Sequence, residues 1–147
     1  MTSFRFRLEK VLAWRRTQLE MEEAKFQRCT HAIADLDRRR AQLEADGIRA
    51  EVQVRGWEPL VGSDLEGLAA FHRYVSREEK QIALRREEAG RHLDAQRQAL
   101  LEAQRRCRLL ERFRARRLAE WQAAADREMD QLAAESHLAA FARGQRQ

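Results

Sequence analysis

Helix-breaking residues concentrate in one short stretch of this chain. The only proline, Pro59, and three of the six glycines (Gly47, Gly56 and Gly62) fall between positions 47 and 62. On both sides the sequence is dominated by Ala, Leu, Glu, Arg and Gln, which are strong helix formers. Asn is absent and β-branched residues are few. A sheet protein, a Rossmann unit or a barrel is excluded on this basis. With 36% of its 147 residues charged, the chain has the composition of long helices or coiled coil rather than of a compact globule.

The spacing of apolar residues supports the same reading. From Leu8 the alternating three-four series runs Leu8, Leu12, Arg15, Leu19, Glu22, Phe26, Cys29, Ile33, Leu36, Arg40, Leu43, and eight of these eleven are apolar. This is a narrow seam on a first helix expected over about 4–54, with the pattern fading near Gly47 and polar interruptions at Arg15, Glu22 and Arg40. The stretch Gly56-Trp57-Glu58-Pro59-Leu60-Val61-Gly62 is the clearest break, since Pro59 disfavours helix at the residue before it. A loop over about 55–62 is expected. Ser63 followed by Glu66 reads as a capping box, so a second helix is expected over about 63–142.

Its seam runs Leu65, Leu68, His72, Val75, Glu79, Ile82, Arg86, Ala89, Leu93, Gln96, Leu100, Ala103, Cys107, Leu110, and ten of these fourteen are apolar. Beyond Leu110 two consecutive steps of four shift the phase to Leu118, Trp121, Ala125 and Leu132, a stutter that locally unwinds a supercoil. Neither seam can be buried by its own helix. The expected fold is therefore all-α: two long helices in an antiparallel coiled-coil hairpin, forming a single domain over 1–147.

The arms are unequal. At ~1.5 Å per residue the first helix spans roughly 60–75 Å and the second roughly 115 Å. With the turn centred near Pro59, paired residue numbers sum to about 118, which sets Leu8 opposite Leu110 and Phe4 near Arg114. Everything after about residue 115 should lack a partner within the chain, although it carries Leu118, Trp121, Met129, Leu132, Leu138 and Phe141. Such an overhang is expected to bind another protein, to self-associate or to fray.

Catalytic constellations are missing from the sequence. His31, His72, His92 and His137 are too far apart along long helices to converge on a metal or a base, and no glycine-rich phosphate loop occurs. A two-helix hairpin offers no deep substrate pocket. Cys29 and Cys107 form no zinc or CxxC pattern, and the hairpin register keeps them apart. No segment has the ~20 apolar residues of a membrane span, and Met1 opens no signal-peptide pattern. A cytosolic chain with reduced thiols, without enzymatic activity, metal or cofactor, is expected.

The formal charge is +5 and is carried almost wholly by arginine, since lysine occurs only at positions 10, 25 and 80. Over most of the chain both signs interleave, as on a solvated coiled-coil face. The exception lies between Arg105 and Arg117, where seven arginines face one acid, Glu111. Arg5 and Arg7 should lie nearby, making a positive collar at the open end of the hairpin. Guanidinium groups suit an acidic protein surface. Nucleic acid is less favoured, because no recognisable module or stacking platform accompanies the charge. A second candidate surface is the broad apolar face of Leu68, Phe71, Tyr74 and Val75, beside Trp57 and Leu60 of the loop. The alternative is that these residues simply close the end of the hairpin.

The ordered set of end motifs resembles the flagellar export protein FliJ family. It comprises Phe4-x-Phe6-x-Leu8-x-x-Val11-Leu12-x-x-Arg15, the apolar-aromatic stretch Leu68 to Ile82, and Leu110-Glu111-Arg112 with Arg116-Arg117-Leu118-x-Glu120-Trp121 and Arg127-Glu128-x-Asp130-x-Leu132-Ala133. The resemblance implies a non-enzymatic component of the flagellar type III export apparatus, similar to a rotary-ATPase stalk. It would be cytoplasmic and peripherally associated with the inner membrane at the flagellar base. Implied partners are the export ATPase hexamer FliI, the cytosolic domain of the export gate FlhA, and export chaperones. The ATPase-facing end would be Arg5, Arg7, Arg112, Arg114, Arg116 and Arg117 with Leu118 and Trp121. The gate patch would be Leu68, Phe71, Tyr74 and Val75, although Glu78 and Arg85 occupy positions on that face where a more apolar patch is expected. The free chain would be monomeric. Competing readings are a stalk protein of a virulence-type secretion system, a coiled-coil scaffold dimerising through residues 115–142, and a basic nucleic-acid binder.

Overall fold

The structure is a computed structural model that describes residues 3–145; Met1 and Thr2, where a signal peptide would begin, and Arg146 and Gln147 lie outside the described residues. Two helices account for almost all of it: α1, Glu9–Arg55 (47 residues), and α2, Gly62–Gly144 (83 residues). The fold is all-α, with two long helices packed against each other and the second much the longer. Contacts divide the chain into two compact units, one built from the chain up to Leu19 together with everything from Ala103 onward, the other from Glu20–Glu102.

In the Glu20–Glu102 unit the helices pair antiparallel. Glu22 meets Gln96, Asp37 meets Arg86 and Arg39 meets Glu78, so rising numbers on α1 meet falling numbers on α2. The core is a cluster of Leu43, Val75 and Ile82, with Leu36 and Phe71 packed against it. Two helices enclose a seam residue on one side only. Most predicted seam positions are accordingly half-buried; among the described residues only the hydrophobic side chains of Leu12, Leu43, Val54, Val75, Ile82 and Cys107 are buried.

One seam position is polar by construction. Gln96 donates its amide to the Glu22 carboxylate and, at 3.4 Å, to the Glu22 carbonyl, while the Lys25 ammonium lies 3.4 Å from the same carboxylate. A polar contact inside an apolar stripe specifies register, because slippage would strand both groups.

Several expected boundaries move. The α1 seam does not fade at Gly47 but continues in heptad steps through Gly47 and Ala50 to Val54, which is 8% exposed. Small side chains hide this continuation from an apolar count, although a Cβ on Gly47 would sit 3.9 Å from Val75 Cγ1. Arg40, Leu65, His72 and Arg86 fall on the predicted seams yet are exposed. Arg86 leaves the stripe to grip Asp37, with Nε donating at 2.6 Å.

The start of α2 also differs. The helix begins at Gly62, where the Val61 carbonyl accepts from Asp64 N at 3.0 Å and the Asp64 carboxylate accepts from Val61 N at 3.1 Å. Asp64 therefore makes the reach-back bond expected of Glu66, and Ser63 lies within the first turn.

The largest correction is at the amino terminus. Residues 3–6 are not helical, and α1 begins at Glu9 rather than near Phe4, with the Leu8 carbonyl accepting from Leu12 N at 2.8 Å. Phe4, Phe6 and Leu8 are half-buried while Ser3, Arg5 and Arg7 are exposed. This two-residue alternation is that of an extended segment, and the rings of Phe4 and Phe6 lie against α2.

Candidate partner-binding surfaces

The first surface lies in the unit that contains the chain up to Leu19 and α2 from Ala103. The extended segment rises ~3.3 Å per residue, more than twice the ~1.5 Å of a helix. Six residues thus reach farther along α2 than helical pairing allows. Phe4 packs on Trp121 with ring centroids 6.0 Å apart, and Phe6 on Phe113 at 5.7 Å. The expectation that everything after residue 115 lacks an intrachain partner is corrected here: Leu118, Trp121 and Ala125 are half-buried, and continuous exposure starts at Asp126.

Arginines surround these rings. Arg114 places its guanidinium carbon 5.8 Å from the Phe4 centroid and donates from Nε to Glu9 at 2.9 Å. Arg116 and Arg117 stand 5.7 and 5.3 Å from the Phe113 ring. Arg117 also donates to Glu120 at 3.0 Å, with Arg116 at 3.9 Å from the same carboxylate. Arg16 reaches Glu111 at 3.4 Å. Among the described residues Arg5, Arg7 and Arg112 have no acid within ion-pair reach. Residues 3–9 and 105–121 together hold nine arginines against three glutamates, Glu9, Glu111 and Glu120. The collar therefore remains strongly positive after its internal pairs are made.

Phe4, Phe6, Phe113, Arg117, Glu120 and Trp121 line an open groove of about 740 Å³. Its chemistry is aromatic with a cationic rim, which fits an acidic protein surface carrying an apolar side chain. Of the residues expected at this end, Arg5, Arg7, Arg114, Arg117 and Trp121 are brought together around the two aromatic pairs. Arg112 and Arg116 are exposed on α2 beside them. Phe4, Phe6 and Phe113 were absent from the expected contact set. Their signal was the Phe4-x-Phe6-x-Leu8 alternation, which belongs to a strand period and not to a heptad.

Cys107 lies within the same unit and is 3% exposed. Burial, followed by the negative charge of Glu111 and a 3.6 Å hydrogen bond to that carboxylate, pushes its thiol above the ordinary range. It is a filler of the seam. Both cysteines are free thiols.

The second surface, in the Glu20–Glu102 unit, is placed differently from the sequence expectation. Val75 is 8% exposed and belongs to the core cluster; Leu68 and Phe71 are half-buried. The continuation of α1 through Val54 covers this face. Tyr74 alone of the four stays exposed, its ring 6.3 Å from that of Phe71. Trp57 and Leu60, in the connection, are exposed as well.

Among the described residues no group of three His, Cys, Asp or Glu side chains could hold a metal ion, and no helix is long and apolar enough to cross a membrane. Comparison of the chain with family models, curated proteins and solved structures finds no match.

Proposed function

We propose that this chain is a non-enzymatic, stalk-like component of a flagellar type III export apparatus that docks on the export ATPase ring through its arginine collar. The observation that carries the proposal is the junction at which α1 starts: a cationic collar held in place by Phe4–Trp121 and Phe6–Phe113, with α2 continuing past it. Seating of the rings fixes the guanidinium groups, so less side-chain entropy is lost when an acidic surface is gripped. A helical hairpin with different side chains on each face presents a different surface to each subunit of a ring. It can thereby favour one ATPase site over another without chemistry of its own. The ordered motifs at both ends support the family reading. Exposed Tyr74, with Trp57 and Leu60, is the proposed contact for the export gate, with export chaperones as further partners. The chain would act in the cytoplasm, peripheral to the inner membrane.

The test is charge reversal at Arg112, Arg114, Arg116 and Arg117, read as stimulation of ATP hydrolysis by the cognate export ATPase. Stimulation should be lost while helicity by circular dichroism is retained. Unchanged stimulation would remove the collar from the mechanism.

A further inference from the structure

The outer face of α2, turned away from α1, is self-complementary. Leu109, Arg116, Ala123 and Asp130 follow one another at intervals of seven, and Leu138 comes eight later. At about 100° per residue these positions share one side of the helix. The seam residues Cys107, Leu110, Arg114, Leu118 and Trp121 lie on other sides, and all are buried or half-buried. All five outer residues are exposed, Leu109 at 56% and Leu138 at 66%. Along these five the order is leucine, cation, alanine, anion, leucine; the charges lie seven residues either side of Ala123 and the leucines fourteen and fifteen, with Arg112 and Arg127 on the same side of the helix.

We infer that the free chain pairs with a second copy of itself, antiparallel, along this face. A two-fold interface requires each patch to complement itself. With the axis at Ala123, Arg116 meets the partner's Asp130, the two Ala123 side chains let the helices approach closely, and Leu109 falls within one residue, ~1.5 Å of rise, of the partner's Leu138. Glu120 falls within one residue of the partner's Arg127 in the same register. A parallel pair would set Arg116 on Arg116 and Asp130 on Asp130, so charge selects the antiparallel arrangement. The contact from Leu109 to Leu138 runs ~45 Å.

The exposed seam side beyond Ala125 does not complement itself. Met129 and Leu132 are flanked there by Asp126, Glu128 and Glu135, and pairing this side with its own copy would bring acid onto acid. This inference revises the expectation of a monomeric free chain. It stands independently of the export reading, since it involves no other protein. Because Arg116 belongs to both surfaces, pairing and collar docking exclude one another.

Sedimentation equilibrium of the full chain across a range of concentrations tests it. A monomer–dimer equilibrium is expected. Arg116→Asp and Asp130→Arg should each weaken dimerisation by ~tenfold or more, since each reversal turns two symmetry-related attractions into repulsions. The double exchange should restore it. Ala123→Glu, which sets two carboxylates against each other at the axis, should weaken it independently. Circular dichroism would verify that each variant remains helical. A chain that stays monomeric at all concentrations overturns the inference, as does a dimer indifferent to the single reversals or not restored by the double exchange.

Discussion

Two side chains of equal size, two residues apart on α2, should respond to truncation to very different extents. Ile82 is 1% exposed and packs in the cluster with Leu43 and Val75, whereas Leu84 is 68% exposed. Ile82→Ala removes three carbons from that contact, ~2.4 kcal/mol at ~0.8 kcal/mol per methylene. The vacated space adds a further cost where neighbours cannot close in. Here one flank of the seam faces water, so relaxation is easy and the total should stay near the lower end of the usual range, ~2–3 kcal/mol. That is a substantial share of the ~10 kcal/mol stability usual for a chain of this size, and it corresponds to a fall in Tm of ~6–10 °C. Leu84→Ala deletes an equally large side chain from an exposed site. Ala and Leu differ little in helix propensity, so its effect should lie within ~0.5 kcal/mol. Urea unfolding of the full chain, followed by far-ultraviolet circular dichroism, measures both. A loss under ~1 kcal/mol for Ile82→Ala, or equal losses for the two variants, would refute the assignment of Ile82 to the inter-helix core.

Acid should loosen the Glu20–Glu102 unit. The hydrogen bond and charge of Arg86 hold the Asp37 carboxyl below its ordinary value, and the Gln96 hydrogen bond, with Lys25, does the same for Glu22. A carboxylate with a depressed folded pKa contributes stability that is fully present above its unfolded value of about 4 and is lost as pH falls through the folded value. Acid titration by circular dichroism should therefore show stability declining below about pH 4, and Arg86→Met should flatten that decline. At Gly47 the added methyl of Gly47→Ala would meet Val75 at ordinary contact distance. This variant should raise stability by ~0.5–1 kcal/mol in the same urea experiment, through helix propensity and a less flexible unfolded chain.

What was legible in the sequence followed from periodicity and punctuation. Pro59 and its neighbouring glycines located the turn, and the run Leu8 to Leu43 identified ten side chains that are buried or half-buried, Leu8 and nine on α1, with Arg40 the exception. Small residues concealed the rest of that seam: Gly47 and Ala50 sit in register but contribute no apolar bulk to a count. At the amino terminus the period changes from helical to extended, so a heptad search continued a helix where Phe4, Phe6 and Leu8 alternate in and out. This explains why Trp121 looked unpartnered and why the aromatic pairs at the collar went unread. The Leu68–Val75 face was legible as apolar but not as covered, because its cover depends on how far α1 continues. Of the expected capping box only the reach-back half forms, made by Asp64, two residues before Glu66.

Intrachain packing leaves much of this chain's apolar surface open. Among the described residues six side chains are buried, while Trp14, Trp57, Met129, Leu132, Leu138, Phe141 and others stay at least half exposed. In a globule a third layer would cover them; a two-helix seam offers none. The exposed set is also chemically sorted, which indiscriminate hydrophobic exposure would not be. Around the start of α1 aromatic rings carry an arginine rim, on the seam side of the overhang Met129 and Leu132 carry an acidic one, and on the outer face of α2 opposite charges sit symmetrically about Ala123. Each pattern would favour a neighbour of different charge: acidic at the collar, basic on the seam side of the overhang, and self-complementary on the outer face. Affinity would come from the apolar area that intrachain packing leaves open, and discrimination from the charge that surrounds it. On that reading a hairpin of this kind would gain its specificity from how little it buries.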